Sequence, residues 1–450
     1  MKRIIDSFLL EWKNRSNRKP LLLRGARQVG KTYSMRTLGE TFTTFIEVNL
    51  EANAAVKEII EQDMDPIRII RQLSELLQVD IVPGSTLLFF DEIQVSPQAI
   101  TTLRYFFEQI PDLHVAAAGS LLDFAIDQVG IPVGRVSSLY MYPVSFLEFI
   151  AALGHHKWIK LIIDHNLKEP LNVAVHKKLL SLIGQYLAIG GMPEAVNVWV
   201  STKKSRAAKI VHSDLIFNYQ QDFGKYAKKH QTKYLNLLFQ KAVDQIGNKF
   251  MYSRVGEYQK RELEPALELL EKAGLLYKII CSSGQGVPLG AQAKLNDFKV
   301  LFLDIGLTQA LLKLDIVPWL LNPETTFINS GQIVEAFIGQ ELLAYSDPIA
   351  KESLFYWRRQ KRASQAEIDY LIQVHDQVVP VEVKAGASKR IKSMQMYLES
   401  HSNSKYGIRF SSDNYSKYKN IKNYPLYAVA KPFISISEIL QKALLHLAKE

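Results

Sequence analysis

Cysteine and long uncharged apolar runs are what this sequence of 450 residues lacks. Cys281 is its only cysteine, which excludes an intrachain disulfide and a cysteine-rich zinc site. No apolar run reaches the roughly 18 residues that a membrane span needs, so we expect none. The first residues carry charges inside their apolar pattern and therefore lack a signal-peptide core. These absences predict a cytoplasmic protein with no membrane partner.

The composition is that of a folded protein with an excess of positive charge. Hydrophobic residues make up 47% of the chain and charged residues 22%, a balance typical of globular domains. The length exceeds one ordinary core, so two or three domains are expected. Lys and Arg number 55 against 45 Asp and Glu, a formal charge of +10. Such an excess favours acidic partners, DNA or another nucleic acid among them.

Three patterns follow one another along the chain. Short apolar runs alternate with helical patterns over residues 20–150, which is typical of a parallel sheet covered on both faces. Helical periodicity dominates residues 155–250, interrupted at Gly190 and Gly191, and residues 325–430 hold a helix followed by alternating strands. We predict an α/β protein with three parts: an amino-terminal P-loop domain with a parallel sheet at 1–155, a helical and winged-helix-like region at 156–285, and a carboxyl-terminal α/β domain at 286–450.

A P-loop pattern, Gly-x4-Gly-Lys-Thr, follows an apolar strand and precedes a predicted helix. Its glycines let backbone N–H groups turn toward phosphates, which the helix N-terminus also attracts. Lys31 would neutralise the β and γ phosphates, and Thr32 would bind Mg²⁺. The alternative is a glycine-rich turn with a solvated lysine. The predicted nucleotide-binding residues are Gly25, Ala26, Arg27, Gln28, Val29, Gly30, Lys31, Thr32 and Asp91.

Two adjacent carboxylates, Asp91 and Glu92, end the apolar strand that begins at Thr86. Asp91 can hold the metal near Thr32, and Glu92 is then the candidate base that polarises the attacking water. Ser120 ends the next strand beside the same crevice, where a hydroxyl can sense the γ phosphate or orient that water. A solvated turn is the alternative for the two acids. The expected chemistry is Mg²⁺-dependent hydrolysis of ATP, with GTP as an alternative.

An arginine in a loop is a candidate for stabilising charge in the transition state. Arg135 follows Gly134, and it could act within its own subunit or in a neighbour's site. Arg104, on the preceding helix, is a rival, and a solvated or structural arginine is the alternative to both. A homo-oligomer is required only if the arginine comes from a neighbour.

The middle of the chain has the order of elements of a winged helix-turn-helix: a helix over 234–246, a short segment, a helix over 260–273 and a strand over 275–280. A solvated charged face is the alternative to DNA contact, and the acidic residues of the last helix, Glu264 and Glu268 among them, argue against major-groove binding. The basic residues of this stretch are Lys225, Lys228, Lys229, Lys233, Lys241, Lys249, Arg254, Lys260 and Arg261.

Carboxylates and a lysine recur near the carboxyl end. Glu382 and Lys384 share one side of a predicted strand, and the preceding strand brings Asp369 to them if the two form a hairpin through residues 375–376. Glu335 lies on an otherwise apolar helix face. Acids from a helix and two strands, with one lysine, can hold Mg²⁺ and orient a hydrolytic water. The alternative is a half-exposed sheet with ordinary ion pairs.

With these motifs in order, the chain resembles a family of bacterial and archaeal AAA+-type ATPases with a carboxyl-terminal domain of unknown function. The stretches that carry the resemblance are 25–32, 88–94, 117–120, 134–135, 142–149, 190–194, 270–276, 294–298, 304–307 and 367–384.

The carboxyl-terminal part is similar to the restriction-endonuclease fold and its PD-(D/E)xK pattern, although Ile368 stands where that pattern usually has proline. The resemblance implies a metal site at Asp369 and Glu382, with Glu335 as its helix acid and Lys384 as its lysine. Our first hypothesis is an Mg²⁺-dependent ATPase whose cycle acts on DNA held by the basic middle and carboxyl-terminal domains, with nuclease activity possible. The alternative is an ATP-controlled binding switch with an inactive nuclease-like platform.

Overall fold

The structure, a computed structural model, describes residues 1–359, 366–386 and 391–449, apart from the side chain of Gln128. The described chain is α/β, as the sequence predicts, and its strands form two sheets. The amino-terminal strands are β1 Leu21–Arg24, β2 Thr44–Asn49, β3 Thr86–Asp91, β4 His114–Ala118 and β5 Ser137–Tyr140. The helices around them are α1 Ile4–Asn14, α2 Lys31–Gly39, α3 Ala54–Gln62, α4 Pro66–Leu77, α5 Pro97–Gln109, α6 Leu122–Val129 and α7 Phe146–Ala152.

The amino-terminal sheet is parallel, in the order β2-β3-β4-β1-β5. Successive side chains of a strand point to opposite faces, so each strand serves two cores. Leu21 and Leu23 pack with α1 and α2 on one face, whereas Leu22 packs with α3 to α5 on the other. Helices therefore cover both faces, which explains why the strands are apolar throughout. The order places β4 between β1 and β3, so their carboxyl ends share one edge.

The middle of the chain is helical and ends in a β-hairpin. Its elements are α8 His156–Asp164, α9 Val173–Ile189, α10 Pro193–Thr202, α11 Ser205–Tyr226, α12 Thr232–Lys241, α13 Lys260–Lys272, β6 Leu276–Ser282 and β7 Ala293–Phe302. The helix predicted over 234–246 ends at Lys241, and a 3-10 turn, Ala242–Gln245, continues it. The apolar stripe is buried in both segments, so periodicity indicated burial correctly but overestimated the length of the helix.

The carboxyl-terminal part surrounds a mixed sheet. Its helices are α14 Ile305–Leu311, α15 Val317–Leu321, α16 Pro323–Asn329, α17 Gly331–Ala344, α18 Lys392–Ser400, α19 Lys431–Ile434 and α20 Glu438–Leu447. Its strands are β8 Leu354–Arg358, β9 Glu367–Val374, β10 Gln377–Lys384, β11 Gly407–Ser411, β12 Ser416–Tyr418 and β13 Ile421–Pro425. The predicted hairpin is present, because Val374 pairs with Gln377 across residues 375–376.

The hairpin β6-β7 belongs to this second sheet. Among the described residues the strand order is β12-β13-β11-β10-β9-β8-β6-β7, and β6 runs parallel to β8. The predicted domain boundary at 285/286 lies between β6 and β7, so one sheet continues across it. The last helix, α20, packs against α1 at the other end of the chain. In the described part of the chain no helix is long and apolar enough to cross a membrane.

Candidate functional site

The loop from Gly25 to Gly30 has the backbone conformation of an anion-binding nest. Gly25, Gln28 and Gly30 have φ of 147°, 67° and 99°, and the left-handed region favours glycine. A Cβ on Gly25 would lie 2.3 Å from the carbonyl oxygen of Met141, so no larger residue fits there. Helix α2 begins at Lys31, directly after Gly30. A loop with glycines at left-handed positions thus leads directly into a helix N-terminus, which is the arrangement that binds phosphate in P-loops.

Lys31 is buried with its ammonium turned back onto the loop. Its Nζ donates to the carbonyl oxygens of Gly25, at 3.0 Å, and Ala26, at 2.8 Å. Burial lowers the pKa of Lys31 to about 8, against the opposing effect of the carboxylates Glu92 and Asp91. Its partners are neutral groups, and a phosphate oxygen would hold an ammonium more strongly than a carbonyl does.

Thr32 and Asp91 meet, as predicted from two motifs about 60 residues apart in the sequence. The Thr32 hydroxyl donates to Oδ2 of Asp91 over 2.9 Å, and Asp91 lies at the carboxyl end of β3. Burial raises the pKa of Asp91 above its usual range, and the hydrogen bond from Thr32 opposes that rise. Hydroxyl and carboxylate oxygens are ligands of Mg²⁺, so these two residues fit the predicted metal.

Glu92 and Ser120 line one cavity at the edge of the sheet. This cavity of about 200 Å³ also includes Arg27 and Gln94. The amide of Gln94 donates to Oε2 of Glu92, and a Cβ on residue 119 would lie 2.0 Å from Oε1 of Gln94. Gly119 therefore makes room for Gln94 beside Ser120. We did not predict a role for Gln94; the glycine before Ser120 was the available sequence signal.

Arg3 contacts the P-loop and holds it in place, a role that the sequence did not indicate. Its guanidinium donates to the carbonyl oxygens of Val29, at 2.9 Å, and Tyr142, at 2.8 Å, and to Oε1 of Glu148, at 3.0 Å. Arg3 and Glu148 are both buried. A buried ion pair breaks at a high cost, so this pair holds the P-loop against the start of α7.

The middle of the chain contacts the P-loop directly. Arg27 forms an ion pair with Asp222 on α11, and the hydroxyl of Tyr219 donates to the carbonyl oxygen of Arg27 over 2.9 Å. The turn between α13 and β6 approaches from another side, where a Cβ on Gly274 would lie 3.3 Å from that of Ala26. A change in the loop on nucleotide binding would therefore act on both helices.

The two candidate arginines lie away from their own P-loop. Arg135 and Arg104 each pair with Glu108, at 2.8 Å and 3.0 Å. Arg135 precedes β5, and the first residue of β5 pairs with Leu21. Leu21 begins β1, whereas the P-loop follows the other end of this strand. At about 3.3 Å per residue, the length of β1 alone separates Arg135 from the P-loop by roughly 13 Å. The structure thus does not bring either arginine to the site of its own subunit.

At the carboxyl-terminal site, Glu335 has a partner that was not predicted. Lys299 on β7 is fully buried, and its Nζ lies 2.9 Å from Oε1 of Glu335 and 2.5 Å from Oε1 of Glu367. Burial raises the pKa of Glu335 above its usual range; the carboxylate of Asp369 adds to the rise and the ion pair with Lys299 opposes it. Burial alone lowers the pKa of Lys299, but the surrounding carboxylates raise it overall.

The other predicted residues of this site also have partners. Oε1 of Glu382 lies 2.7 Å from Nζ of Lys384, and Oδ2 of Asp369 accepts from the N–H of Val383 over 2.7 Å. Burial raises the pKa of Glu382, and Lys384 opposes that rise. Residues 378–383 of β10 are buried between β9 and β11, so this strand is not half-exposed. The ion pair that the alternative included is nevertheless present, between Lys384 and Glu382.

The predicted carboxyl-terminal metal site is not assembled. Within residues 1–359, 366–386 and 391–449, no three His, Cys, Asp or Glu side chains are grouped so that they could hold a metal ion. Glu335, Asp369 and Glu382 lie near one another, yet each is already engaged by a lysine or a backbone N–H group. The three carboxylates thus do not form such a group among the described residues, and their role as metal ligands stays a prediction.

Three family models match successive parts of the chain. Residues 17–150 match a family described as "AAA domain". Residues 180–316 and 330–429 match two families described as domains of unknown function. The first match agrees with the parallel sheet and the loop geometry, so the amino-terminal unit is similar to an AAA domain and has the fold of a P-loop domain. The nuclease-like fold of the carboxyl-terminal unit stays a prediction.

Solved structures with some likeness to this chain are distant. A Walker-type ATPase of Pyrococcus abyssi is 16% identical with a TM-score of 0.42, and the match covers 68% of this chain and 94% of that one. PCH-2 of C. elegans is 13% identical with a TM-score of 0.27, over 46% of this chain and 66% of that one. No curated protein matches the sequence.

Proposed function

We propose that this chain is an Mg²⁺-dependent ATPase. The observation that carries the proposal is the 2.9 Å contact between the Thr32 hydroxyl and Asp91, beside a lysine held only by loop carbonyls. The AAA-domain match over residues 17–150 supports it. Mg²⁺ arriving with the nucleotide would be held by oxygens of Thr32 and Asp91 and would neutralise phosphate charge.

The remaining groups have separate tasks in this proposal. The ammonium of Lys31 leaves its two carbonyl partners for the phosphate oxygens, and the N–H groups of the loop bind the same phosphates. Glu92 accepts the proton of the attacking water once Gln94 releases its carboxylate. Ser120, in the same cavity as Glu92, orients that water or contacts the γ phosphate.

Phosphate release from ATP tests this proposal. We expect hydrolysis that depends on Mg²⁺ and stops when EDTA is added, and a comparison with GTP establishes the base preference. Thr32→Val removes the hydroxyl while keeping a similar shape, and it should abolish the dependence of nucleotide affinity on Mg²⁺. Hydrolysis that continues unchanged in EDTA would contradict the proposal.

We further propose that the ATPase cycle acts on DNA held by the middle of the chain. Lys228 and Lys229 are exposed between α11 and α12, and α11 contacts the P-loop through Asp222. Arg254 and Arg261 are also exposed nearby. Other basic residues of the stretch already pair with acidic side chains and are therefore less available to bind DNA phosphates. These residues are Lys225, Lys241, Lys249 and Lys260.

Fluorescence anisotropy with a labelled duplex measures this binding. If phosphate contacts dominate, affinity should fall steeply between about 50 and 200 mM salt, and replacing Lys228 and Lys229 by alanine should reduce the salt slope by about two. The matched control replaces Lys157 and Lys160, which are exposed on α8. An equal loss in both double variants would show that net charge alone, and not this loop, attracts DNA.

The location of Arg135 favours a contribution from a neighbouring subunit, if an arginine takes part. Mixing two inactive variants tests this: Arg135→Ala lacks the arginine, and Glu92→Gln lacks the base but keeps the arginine. Recovery of hydrolysis in the mixture, with a native mass above that of one chain, would support a shared site. Arg104→Ala is tested in the same way, because both arginines pair with Glu108 and Arg104 is the rival candidate. Full activity of Arg135→Ala alone would exclude the role.

A second candidate function is an ATP-controlled binding switch whose carboxyl-terminal unit cuts nothing. It is favoured by the lysine partners of Glu335 and Glu382. The nuclease hypothesis predicts DNA cleavage with Mg²⁺ or Mn²⁺ that Asp369→Ala or Lys384→Ala abolishes. Binding without cleavage in every variant would favour the switch.

A further inference from the structure

The buried ammonium of a lysine already lies between two carboxylates of the carboxyl-terminal site. The ammonium of Lys299 lies between Oε1 of Glu335, at 2.9 Å, and Oε1 of Glu367, at 2.5 Å. The ring of Tyr356 covers it, with its centre 5.1 Å from Nζ. Two carboxylates and an aromatic face are the surroundings that stabilise a positive charge away from water.

Lys299 cannot easily leave this position. It lies within β7, paired with β6 in the second sheet, and its side chain is 1% exposed. A lysine turned elsewhere in the core would lose both carboxylates without gaining water, which is a large penalty. A divalent cation bound to Glu335 would therefore share the site with a fixed like charge.

The neighbouring acids offer no alternative chelate. One oxygen of Asp369 accepts the N–H of Val383, and one oxygen of Glu382 holds Lys384. Oε2 of Glu382 is buried without a hydrogen-bond partner, but a cation bound there would lie beside the ammonium of Lys384, which is held by the other oxygen of the same carboxylate. This agrees with the lack of a three-residue metal group among the described residues.

We propose that Lys299 takes the place of a divalent cation at Glu335, so that the carboxyl-terminal unit binds no metal and is a platform rather than a nuclease. Glu335 is then the anchor of Lys299 and not a metal ligand. The inference deepens the switch hypothesis, and it is independent of ATP hydrolysis because it concerns a different set of carboxylates.

Mn²⁺ binding to the full-length, nucleotide-free protein tests the inference. Asp91→Asn is present in every sample so that the Thr32–Asp91 pair cannot hold Mn²⁺. We expect no Mn²⁺ bound to this background in the millimolar range, seen as unaltered electron paramagnetic resonance of the free ion. Lys299→Met should bind Mn²⁺ at least about tenfold more tightly, because a like charge is gone. Lys299→Arg keeps the charge and should not bind.

Two further samples keep the result interpretable if Lys299→Met is unstable. The double variant Lys299→Met with Glu335→Gln removes both charges of the pair and should again bind no Mn²⁺. In the background protein, Glu335→Gln should leave Mn²⁺ binding unchanged. Mn²⁺ bound by the background and weakened by Glu335→Gln would overturn the inference, as would Mn²⁺-dependent DNA cleavage that Asp369→Asn abolishes. Neither result would bear on ATP hydrolysis, which is measured separately on the chain with Asp91 intact.

Discussion

The two carboxylate sites of this chain use the same residue types in opposite ways. At the P-loop, Lys31 is held by two carbonyl oxygens, and the carboxylates of Asp91 and Glu92 make no ion pair with it. At the carboxyl-terminal site, Lys299 and Lys384 contact carboxylates directly, over 2.5 to 2.9 Å. We therefore expect a ligand at the P-loop, where the charge of the lysine is not neutralised by the neighbouring acids.

The two sites differ in whether their charges contribute to ligand binding or to folding. At the P-loop, Asp91 and Glu92 form no ion pair with Lys31, which is held by neutral carbonyl groups. Binding of a triphosphate with its Mg²⁺ would therefore lower the electrostatic free energy of this site. Neutralised acids at the carboxyl-terminal site have already contributed that free energy to folding. We expect the charges at the P-loop to matter mainly for function. The charges at the carboxyl-terminal site should matter mainly for stability.

The largest effect is expected for Glu92→Gln. Loss of the base should lower turnover by roughly 10²- to 10⁴-fold, the range of general base catalysis, while ATP binding is retained. The measurement is single-turnover phosphate release beside equilibrium binding of a fluorescent ATP analogue. Unchanged turnover would remove Glu92 from the role of base.

Lys31→Ala should have the next largest effect. The β and γ phosphates lose their ammonium, which should lower hydrolysis by roughly 10²- to 10³-fold, as for other groups that stabilise developing charge. Lys57→Ala is the matched control, since Lys57 is a lysine of the same unit that pairs only with Glu61 on the surface of α3. Similar losses in both variants would point to a general defect and not to the loop.

The stability of the two sites should respond with opposite signs when a carboxylate is made neutral. Glu335→Gln leaves the buried ammonium of Lys299 with one carboxylate, so we expect the free energy of unfolding to fall by about 1–3 kcal/mol. Asp91→Asn relieves a buried, uncompensated charge and should leave stability unchanged or higher, although hydrolysis is lost. Denaturant unfolding of the two variants measures the contrast. Equal destabilisation would remove the distinction between the sites.

The smallest effect is a pH dependence of nucleotide affinity. Below a pKa of about 8, Lys31 is an ammonium that attracts phosphate, and above it the amine is neutral. Affinity for ATP should therefore fall as pH rises, by about tenfold at one unit above that pKa. In Lys31→Arg the guanidinium stays charged over this range, so the decline should disappear. A decline of equal size in that variant would assign it to another group.

Local patterns were enough to predict how the parts of the candidate nucleotide site come together. The P-loop and the acids after β3 each have a short sequence signal, and their meeting follows from neighbouring parallel strands. The strand predicted at 86–90 is Thr86–Asp91, and the helix predicted at 260–273 is Lys260–Lys272. These elements were predictable because burial leaves a local pattern in each: an apolar run in a strand covered on both faces, and apolar residues at helical spacing in a helix.

Contacts between distant residues could not be predicted in this way. Arg3 looks like a surface residue until Glu148 is placed beside it, and Lys299 interrupts an apolar strand without any local sign of Glu335. Nothing in the sequence of β6 indicates that its neighbour is β8, which begins more than 70 residues later. Such pairings depend on the tertiary arrangement, which no single segment specifies.

The pairing of β6 with β8 has a practical consequence for work with fragments. A chain shortened at the predicted boundary of 285/286 would retain β6 but lose both of its neighbours, β7 and β8. The exposed N–H and C=O groups of such a strand would pair with those of other copies. Fragments ending there should precipitate during expression, whereas a cut made after residue 155 would leave the second sheet whole.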